Sequence, residues 1–531
     1  MVLVGVATAA LFAYVAICRF VYPIDAEWMV GSVREAVDRL AHGQPMYVEP
    51  TDGFIPYVYP PLYHWTAAIF ARFMSVFVAC KVVSLLSTAA LGWSIWTVSR
   101  KLGATRFWAF AGILLHISAF SATLMFYDLE RVDAFAAAVV ALALTALVTG
   151  EDRARTIIGA VLLGLAFFAK QPHVLALGAA CAALFIAGQR KRAFTVAAIG
   201  GAVLVGLFAY LEVSTHGWFR YYCVTLPGAH GLDPKVISTF FVVDWPKLFV
   251  ITAASFALGV PLVTSVVRTR KIPEGWSWEL ALVAAVVVTT MIEAFSLRAH
   301  RGGWANVIIA WTPFGCLAAA VVAARLEARA TSTSVPYLLL AGFGLQLLGG
   351  TFDPNEYAPD SEDLAERQRF IGTVRELEKR GDVVVTTTGG ITKNQHYQMA
   401  ALFDVIRSNL PLPASIADGF RERRYAAVIV GAPHEFKCEV KACEDAFVVF
   451  ASNYFVAARR ADREHTGMTG FDARPRWIML PRKHPLKGMT LDALDYRLLV
   501  ECGLAVANTL RLQKREEPTI DETIEERAAV R

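Results

Sequence analysis

The stretch FYDLERVDAFAAAVVALALTALVTG, residues 126–150, passes directly from a charged segment into an apolar run. An apolar run of about 20 residues is long enough to cross the hydrocarbon core of a bilayer as a helix. Comparable runs recur from residue 1 to residue 350. The sequence therefore predicts an α-helical polytopic membrane domain with about eleven spans, at residues 2–21, 76–98, 107–126, 134–149, 156–169, 173–188, 194–213, 248–267, 279–297, 304–324 and 334–351.

The composition excludes an ordinary soluble protein. Of the 531 residues, 56% are hydrophobic and only 18% are charged, and the mean hydropathy is +0.45. Soluble domains usually carry about 25% charged residues. After residue 352 the charge returns and no run is long enough to span a membrane. We therefore predict two domains: a transmembrane domain at residues 1–352 with an outer loop at 22–75, and a small soluble α/β domain at 353–531.

Basic residues cluster in alternate breaks between the predicted spans, at residues 100–106, 153–155, 190–192, 268–271 and 325–329. Short loops rich in Lys and Arg stay in the cytoplasm. This predicts a multi-pass protein of the cytoplasmic (inner) membrane, with a cytoplasmic N-terminus and a periplasmic C-terminal domain. Arg19, at the outer end of the first span, departs from the rule. Because membrane-length apolar runs flank every basic group, no nucleic-acid partner is expected.

The predicted outer loop, residues 22–75, contains two amphipathic helical patterns. The first runs from about residue 26 to 42, with Asp25 as a candidate N-cap. Its polar face, opposite the apolar residues, carries Arg34, Glu35, Asp38 and Arg39. The second begins at residues 60–61. Tyr59, Tyr63 and Trp65 suit the membrane interface, where an aromatic ring is buried while its polar tip stays wet. We expect these three side chains to line a lipid or acceptor site.

Helical and β-branched segments alternate in the C-terminal domain. Helices are predicted at 364–380 and 395–408, strands at 383–387 and 425–430, and weaker strands at 447–450 and 477–480. This alternation predicts a small α/β fold. Cys438 and Cys443 are close in sequence and form a disulfide candidate if the domain lies in an oxidising compartment.

Ionisable residues gather at the predicted outer interface, where charged groups are costly and usually functional. They are Asp25, Glu27, Asp128, Glu130, Arg131, Asp133, Lys170, Arg298, His300 and Arg301. A carboxylate can deprotonate an incoming hydroxyl group, which makes Asp25 and Asp133 the catalytic candidates. Together with Glu27 they could also hold a divalent metal ion. The basic residues could neutralise the charge that grows on a departing phosphate, and Lys170, Arg131, His300 and Arg301 are the candidates for this role.

Each of these residues also has a structural explanation. Asp25 could act only as a helix cap. Arg131 and Asp133 could merely pair with each other, and Lys170 could extend its side chain to the lipid headgroups. His300 and its basic neighbour could be ordinary loop residues.

Short motifs in residues 1–350 resemble the C-type integral-membrane glycosyltransferases, especially the bacterial branch of protein mannosyltransferase-like and aminoarabinose transferase-like enzymes. They are the Asp after the first span, Gly43-Gln44-Pro45-Met46-Tyr47, Tyr59-Pro60-Pro61-Leu62, Arg131-x-Asp133, Lys170-Gln171 and Gly303-Trp304-Ala305-Asn306. By this resemblance, Asp25 and Asp133 match the carboxylates of the first and second outer loops of the family. The aminoarabinose branch has a lysine where this chain has Tyr59 or Pro60, so the resemblance does not predict a donor-phosphate contact at this position.

The resemblance and the position of the charged residues together predict a glycosyltransferase. It would transfer a sugar from a polyprenyl-phosphate donor to a glycan, lipid or protein acceptor of the cell envelope at the outer face of the membrane. The alternative is a polytopic transporter or lipid flippase. Transporters keep polar groups near the bilayer centre on broken helices, whereas the charges here cluster at one interface.

Overall fold

A computed structural model describes residues 1–300, 302–408, 412–432, 441–460, 469 and 474–513. The helices in chain order are α1 (Val2–Val21), α2 (Val30–Ala41), α3 (Leu62–Ala71), α4 (Val76–Lys101), α5 (Arg106–Ala122), α6 (Val132–Thr149), α7 (Arg153–Ala169), α8 (Val174–Ile186), α9 (Arg190–Ser214), α10 (Trp218–Arg220), α11 (Leu226–Gly228), α12 (Pro234–Thr239), α13 (Trp245–Lys247), α14 (Phe249–Thr269), α15 (Trp278–Ala299), α16 (Thr312–Arg329), α17 (Ser334–Gly349), α18 (Ser361–Glu378), α19 (Met399–Arg407), α20 (Ala414–Arg421), α21 (Lys441–Asn453) and α22 (Leu491–Gln513). The strands are β1 (Val383–Val385), β2 (Ala427–Val430), β3 (Tyr454–Arg459) and β4 (Trp477–Pro481).

Short polar residues define where several of the long helices begin. In four helices, the side-chain oxygen of the residue before the helix accepts a backbone N–H of the first turn. Ser75 caps α4, Thr105 caps α5, Asp152 caps α7 and Ser277 caps α15. Such N-caps satisfy one of the N–H groups that a helix start leaves without an intrahelical partner. Helix α18 begins with a capping box between Asp360 and Asp363.

A helix lies within each of the eleven predicted spans. In the part of the chain that the structure describes, seven segments are long and apolar enough to cross a membrane: Val2–Val21, Val76–Lys101, Val132–Thr149, Arg190–Ser214, Phe249–Thr269, Trp278–Ala299 and Ser334–Glu356. Two shorter apolar segments are Arg106–Ala122 and Gln171–Ile186. The protein is therefore a mostly helical multi-pass membrane protein, and a count of eleven crossings stays a prediction.

The chain forms two compact units. The first unit consists of Met1–Val21, Tyr59–Val224 and His230–Ala358. The second unit consists of Tyr22–Val58, Thr225–Ala229 and Pro359–Arg531. These bounds place much of the predicted outer loop in the same unit as the C-terminal residues, whereas the predicted domains divide the chain only once, near residue 352.

The second unit contains a mixed four-stranded sheet in the order β1-β2-β4-β3. Strands β1 and β2 are parallel, while β4 is antiparallel to both β2 and β3. Apolar residues of α18 pack on the sheet, including Phe370 and Val374 against Val383 and Ile429. The unit thus combines a sheet with helices, and a soluble α/β domain at residues 353–531 stays a prediction.

One predicted strand is wrong. Residues 447–450 lie inside helix α21, and the strand β3 begins only at Tyr454. Short apolar runs fit a buried helix and a buried strand equally well. Here Phe447 and Phe450 are both buried, at a helical spacing of three residues.

The two amphipathic patterns of the predicted outer loop form α2 and α3. Helix α2 begins at Val30 and is preceded by Met29 without a side-chain cap, so the predicted N-cap role of Asp25 is wrong. Both Arg34 and Glu35, on the predicted polar face of α2, are buried within the second unit. The first two turns of this amphipathic helix are therefore covered on both faces, whereas Asp38 in its last turns is exposed.

Candidate functional site

The first unit brings Asp133 and Lys170 together. Asp133 lies in the first turn of α6, and Lys170 directly follows the last residue of α7. The Lys170 Nζ donates to Asp133 Oδ1 over 2.5 Å. Both side chains are at least 94% buried, so Lys170 is covered by other protein atoms. The two predicted site residues form one buried ion pair.

Two further side chains face the same carboxylate. Arg131 precedes α6, and its Nε lies 3.8 Å from Asp133 Oδ2. Asn306, in a 3₁₀ turn at Ala305–Ala310, donates from Nδ2 to Asp133 Oδ1 over 3.4 Å. Asp133 is therefore surrounded by two cations and one amide, all buried. The charges of Lys170, Arg131 and Asp133 add to one net positive charge. In a buried setting of low dielectric constant, this charge favours the binding of an anion.

Tyr59 links this cluster to the start of the second amphipathic segment. The Arg131 Nη2 donates to the Tyr59 hydroxyl over 2.6 Å. The guanidinium also lies over the rings of Tyr59 and Phe126, 5.4 Å from each centroid, a distance typical of cation–π contacts. Several partners therefore hold Arg131 at once. Its planar guanidinium carries N–H donors in an arrangement that suits phosphate oxygens.

The other predicted residues of the first unit lie in different settings. Tyr63 is fully buried, and its hydroxyl donates to the backbone oxygen of Cys80 over 3.0 Å, whereas Trp65 is half-buried. His300 follows the last residue of α15 and forms an isolated β-bridge with Leu232. Arg301 lies outside the described residues. The structure thus places Tyr63 in the packing around α4 and places His300 beside a β-bridge.

Asp25 belongs to the second unit, where two arginines face it. One of its oxygens accepts from Arg34 of α2, and the other lies 3.5 Å from Arg367 Nη1 of α18. The Asp25 side chain is only 9% exposed. Glu27 is buried too, and it accepts the backbone N–H of Met29 over 3.1 Å. Because Asp25 and Asp133 belong to different units, their partnership in one site stays a prediction.

The surroundings of Asp25 set its ionisation. Burial alone would raise the pKa of this carboxyl, but the positive charges of Arg34 and Arg367 outweigh burial and lower the pKa below its ordinary value of 3.8. Asp25 is therefore a carboxylate at any working pH. It can accept a hydrogen bond from a hydroxyl group, and it is a weaker base than an unpaired carboxylate.

A metal ion fits these carboxylates poorly. Asp25 and Asp133 each already face two cationic side chains, which would repel a divalent ion. Within the described ranges, no group of three or more His, Cys, Asp or Glu side chains is placed to hold a metal. Metal dependence stays a prediction of the sequence.

The disulfide candidate cannot be located. Cys438 lies outside the described residues, and the side chain of Cys443 is not among those the structure describes.

Sequence reasoning missed the roles of three partners. The amphipathic pattern places Arg34 on the polar face of α2 without pointing to Asp25, and Arg367 lies far along the chain from Asp25. Asn306 carried a signal, since it ends the Gly303-Trp304-Ala305-Asn306 motif, but nothing in the sequence connected it to Asp133.

Comparisons with known proteins test the fold and the family. The structure resembles a crystal structure of ArnT from Cupriavidus metallidurans in the apo state, with a TM-score of 0.52 at 12% identity over 90% of this chain and 97% of that chain. ArnT from the same organism bound to undecaprenyl phosphate gives a TM-score of 0.46 at 13% identity, over 96% and 92% of the two chains. A cryo-EM structure of the arabinofuranosyltransferase AftD from Mycobacteria gives 0.46 at 12% identity, over 89% of this chain and 41% of that chain.

The apo ArnT comparison shows a shared fold alone, because its sequence identity is low. It confirms the C-type membrane glycosyltransferase architecture that the motifs predicted. No curated protein sequence matches the chain significantly. The sequence profile of glycosyltransferase family 87 matches residues 57–348, which is more than half of the 531 residues. The protein therefore belongs to glycosyltransferase family 87.

Proposed function

We propose that this membrane glycosyltransferase takes a hexosyl or pentosyl group from a polyprenyl-phosphate donor. The acceptor would be a glycan, lipid or protein of the cell envelope, reached at the outer face of the cytoplasmic membrane. The observation that carries the proposal is the buried cluster of Lys170, Arg131 and Asn306 around Asp133. It lies at one end of α6, an apolar helix long enough to span a membrane.

The position of the cations supports a lipid-linked donor. A polyprenyl phosphate keeps its isoprenoid chain in the bilayer and its phosphate at the level of the headgroups. Charged groups at the end of a spanning helix are placed to meet that phosphate. Lys170 and Arg131 exceed the charge of Asp133 by one, which matches the single negative charge of a sugar phosphodiester.

The same cations favour the bond-breaking step. When the bond between the anomeric carbon and the phosphate oxygen breaks, its electron pair stays on the phosphate, which gains a second negative charge. Lys170 and Arg131 stabilise this charge more strongly than that of the bound donor, and only such a difference accelerates the reaction. Asp133 would hold the two cations together before the donor arrives.

The acceptor hydroxyl must lose its proton as its oxygen bonds to the anomeric carbon. We assign this proton to the Asp25 carboxylate. Its ionised state, maintained by Arg34 and Arg367, supports the assignment, since a base must be free of its proton before the reaction. Because a lowered pKa makes a weak base, proton transfer would come late, when bond formation has already made the hydroxyl acidic.

The proposal is tested by incubating purified enzyme with a panel of polyprenyl-phosphate sugars and measuring loss of the sugar by mass spectrometry. Asp25→Asn should lower the rate by a factor of about 10²–10⁴, the usual effect of losing a general base. Lys170→Ala should weaken donor binding as well as turnover, because it removes a contact made before and during bond breaking.

Lys101→Ala is the matched control, since Lys101 is an exposed lysine at the far end of another spanning helix, α4. It should transfer sugar at the rate of the unmodified enzyme. If folded Lys170→Ala protein transfers sugar and binds the donor as the unmodified enzyme does, the donor-phosphate site is refuted. If Asp25→Asn transfers sugar at the unmodified rate, only the assignment of Asp25 as the base is refuted.

A further inference from the structure

The segment that delivers Arg131 to the cluster has an unusual backbone. This segment, residues 123–131, connects α5 to α6 and is called the site loop here. Leu124 and Met125 both adopt the left-handed conformation, with φ of 58° and 60°. Consecutive left-handed residues other than glycine persist only where the surroundings enforce them. The conformation of the site loop must therefore be held by contacts from neighbouring helices.

Two hydroxyl groups of α4 hold the backbone of the site loop. The Ser84 Oγ donates to the backbone oxygen of Leu129 over 2.5 Å, and the Thr88 Oγ1 donates to that of Tyr127 over 3.0 Å. Ser84 and Thr88 are four residues apart and so lie on one face of the helix. Both side chains are buried, where an unsatisfied carbonyl group is costly. The two bonds fix alternate residues of the loop just before Arg131.

A buried ion pair extends the same face of α4 by one turn. Lys81 Nζ lies 3.5 Å from Glu130 Oε2, and the two side chains are 2% and 1% exposed. Glu130 directly precedes Arg131 in the chain. Lys81 therefore restrains the residue next to the proposed phosphate-binding guanidinium.

Arg19 of α1 also restrains the loop. Its Nη1 donates to the backbone oxygen of left-handed Met125 and to Asp128 Oδ1, each over 2.9 Å. The site loop is thus held by two helices, at Met125 and Asp128 by α1 and at Tyr127, Leu129 and Glu130 by α4.

We propose that Lys81, Ser84 and Thr88 of α4 are positioning residues of the transferase, acting through the site loop on Arg131. The inference rests on the proposed donor-phosphate role of Arg131. Small errors in the placement of a group that binds the reacting phosphate lower the rate steeply, by up to about 10²-fold for 1 Å. The face of α4 would hold the loop where the guanidinium meets the phosphate.

The test is the double variant Ser84→Ala/Thr88→Val, assayed with the polyprenyl-phosphate sugar found in the panel. We expect kcat to fall about 10- to 100-fold. Ser87→Ala is the matched control: Ser87 is a buried serine of the same helix, but its hydroxyl donates to the oxygen of Val83 within α4. It should leave kcat unchanged. Equal activity of the double variant and the control would overturn the proposal.

A second arm separates positioning from a general effect on folding. The double variant is repeated in an Arg131→Met background. If α4 acts through Arg131, the further loss should shrink to less than about twofold, because coupled sites are not additive. An undiminished loss in both backgrounds would refute positioning and leave the proposed function intact. Full transfer by Arg131→Met alone would instead refute the donor site on which the inference rests.

The ion pair provides an independent variant. Lys81→Met alone would leave Glu130 buried without its cation, which destabilises a fold strongly. The double variant Lys81→Met/Glu130→Gln removes both charges and should fold, as replacing a whole buried pair is often neutral for stability. We expect it to show the same fall in kcat, and full activity of the folded protein would exclude Lys81 from the positioning set.

Discussion

The ionisation of Glu35 predicts how the stability of the second unit depends on pH. This glutamate of α2 is 8% exposed and accepts from Gln398 Nε2 over 3.0 Å. Burial raises its pKa from the ordinary value of 4.5 to about 8, although the charge of Arg34 opposes the increase. Glu35 is therefore protonated at neutral pH. Because protonated Glu35 carries no charge, it does not compete with Asp25 for the positive charge of Arg34.

The sign of the pH effect follows from proton binding. The folded protein holds the Glu35 proton more tightly than the unfolded chain, so this group's contribution to stability is complete below pH 4.5 and is lost as the pH rises to about 8. At about 1.4 kcal/mol per pH unit, the interval from 4.5 to 7 corresponds to roughly 3 kcal/mol. Glu35→Gln keeps the size and the acceptor oxygen but cannot ionise. It should stabilise the unit by that amount at pH 7.

Hydrogen exchange detected by mass spectrometry can measure this for the second unit alone. In peptides from α2 and β1, exchange of Glu35→Gln should be about 100-fold slower than in the unmodified protein at pH 7, and unchanged at pH 4.5. Comparing the two proteins at the same pH removes the intrinsic pH dependence of exchange. Glu376→Gln, at a 60% exposed side chain of α18, should have no effect at either pH. A Glu35→Gln effect equal at both pH values would refute the assigned ionisation.

Three further outcomes are expected. The pH–rate profile should stay flat down to about pH 4, because Asp25 has a lowered pKa; an acidic limb near pH 6 would assign the base to another group. Cys438 and Cys443 should resist alkylation until reduced, and free labelling of both in native protein would exclude the disulfide. A C-terminal alkaline phosphatase fusion should be active and a green fluorescent protein fusion dark, as the basic loops predict, and the reverse pattern would invert the topology.

The membrane architecture was predictable because its signal is local. Apolar runs and their basic flanks are legible in any window of the chain, and helices occupy all the predicted spans. The structure sets the start of α2 at Val30, four residues later than predicted. Asp25 looked like a helix cap, but its charge is compensated by Arg34 and by Arg367, more than 300 residues away. A local pattern cannot reveal such a partner.

The candidate site was predictable only as a set of residues at one interface. The sequence predicted Lys170 and Asp133 for the same side of the membrane, and the structure joins them as a pair. Asn306 could not be placed, because a 3₁₀ turn far along the chain brings it to α6. The anchoring role of Lys81 was equally hidden. In the sequence, Lys81 is a single charged residue within an apolar run, and only the structure shows that it pairs with Glu130.

The discontinuity of the second unit has a consequence for biosynthesis. Its first segment ends at Val58, and its last begins at Pro359. At a translation rate of about 5–20 residues per second, roughly 15–60 s pass before the ribosome reaches the later segment. During this interval, the buried apolar face of α2, with Val30, Val33 and Val37, has no sheet to complete its unit. We therefore expect truncation before Pro359 to leave this segment prone to aggregation and proteolysis.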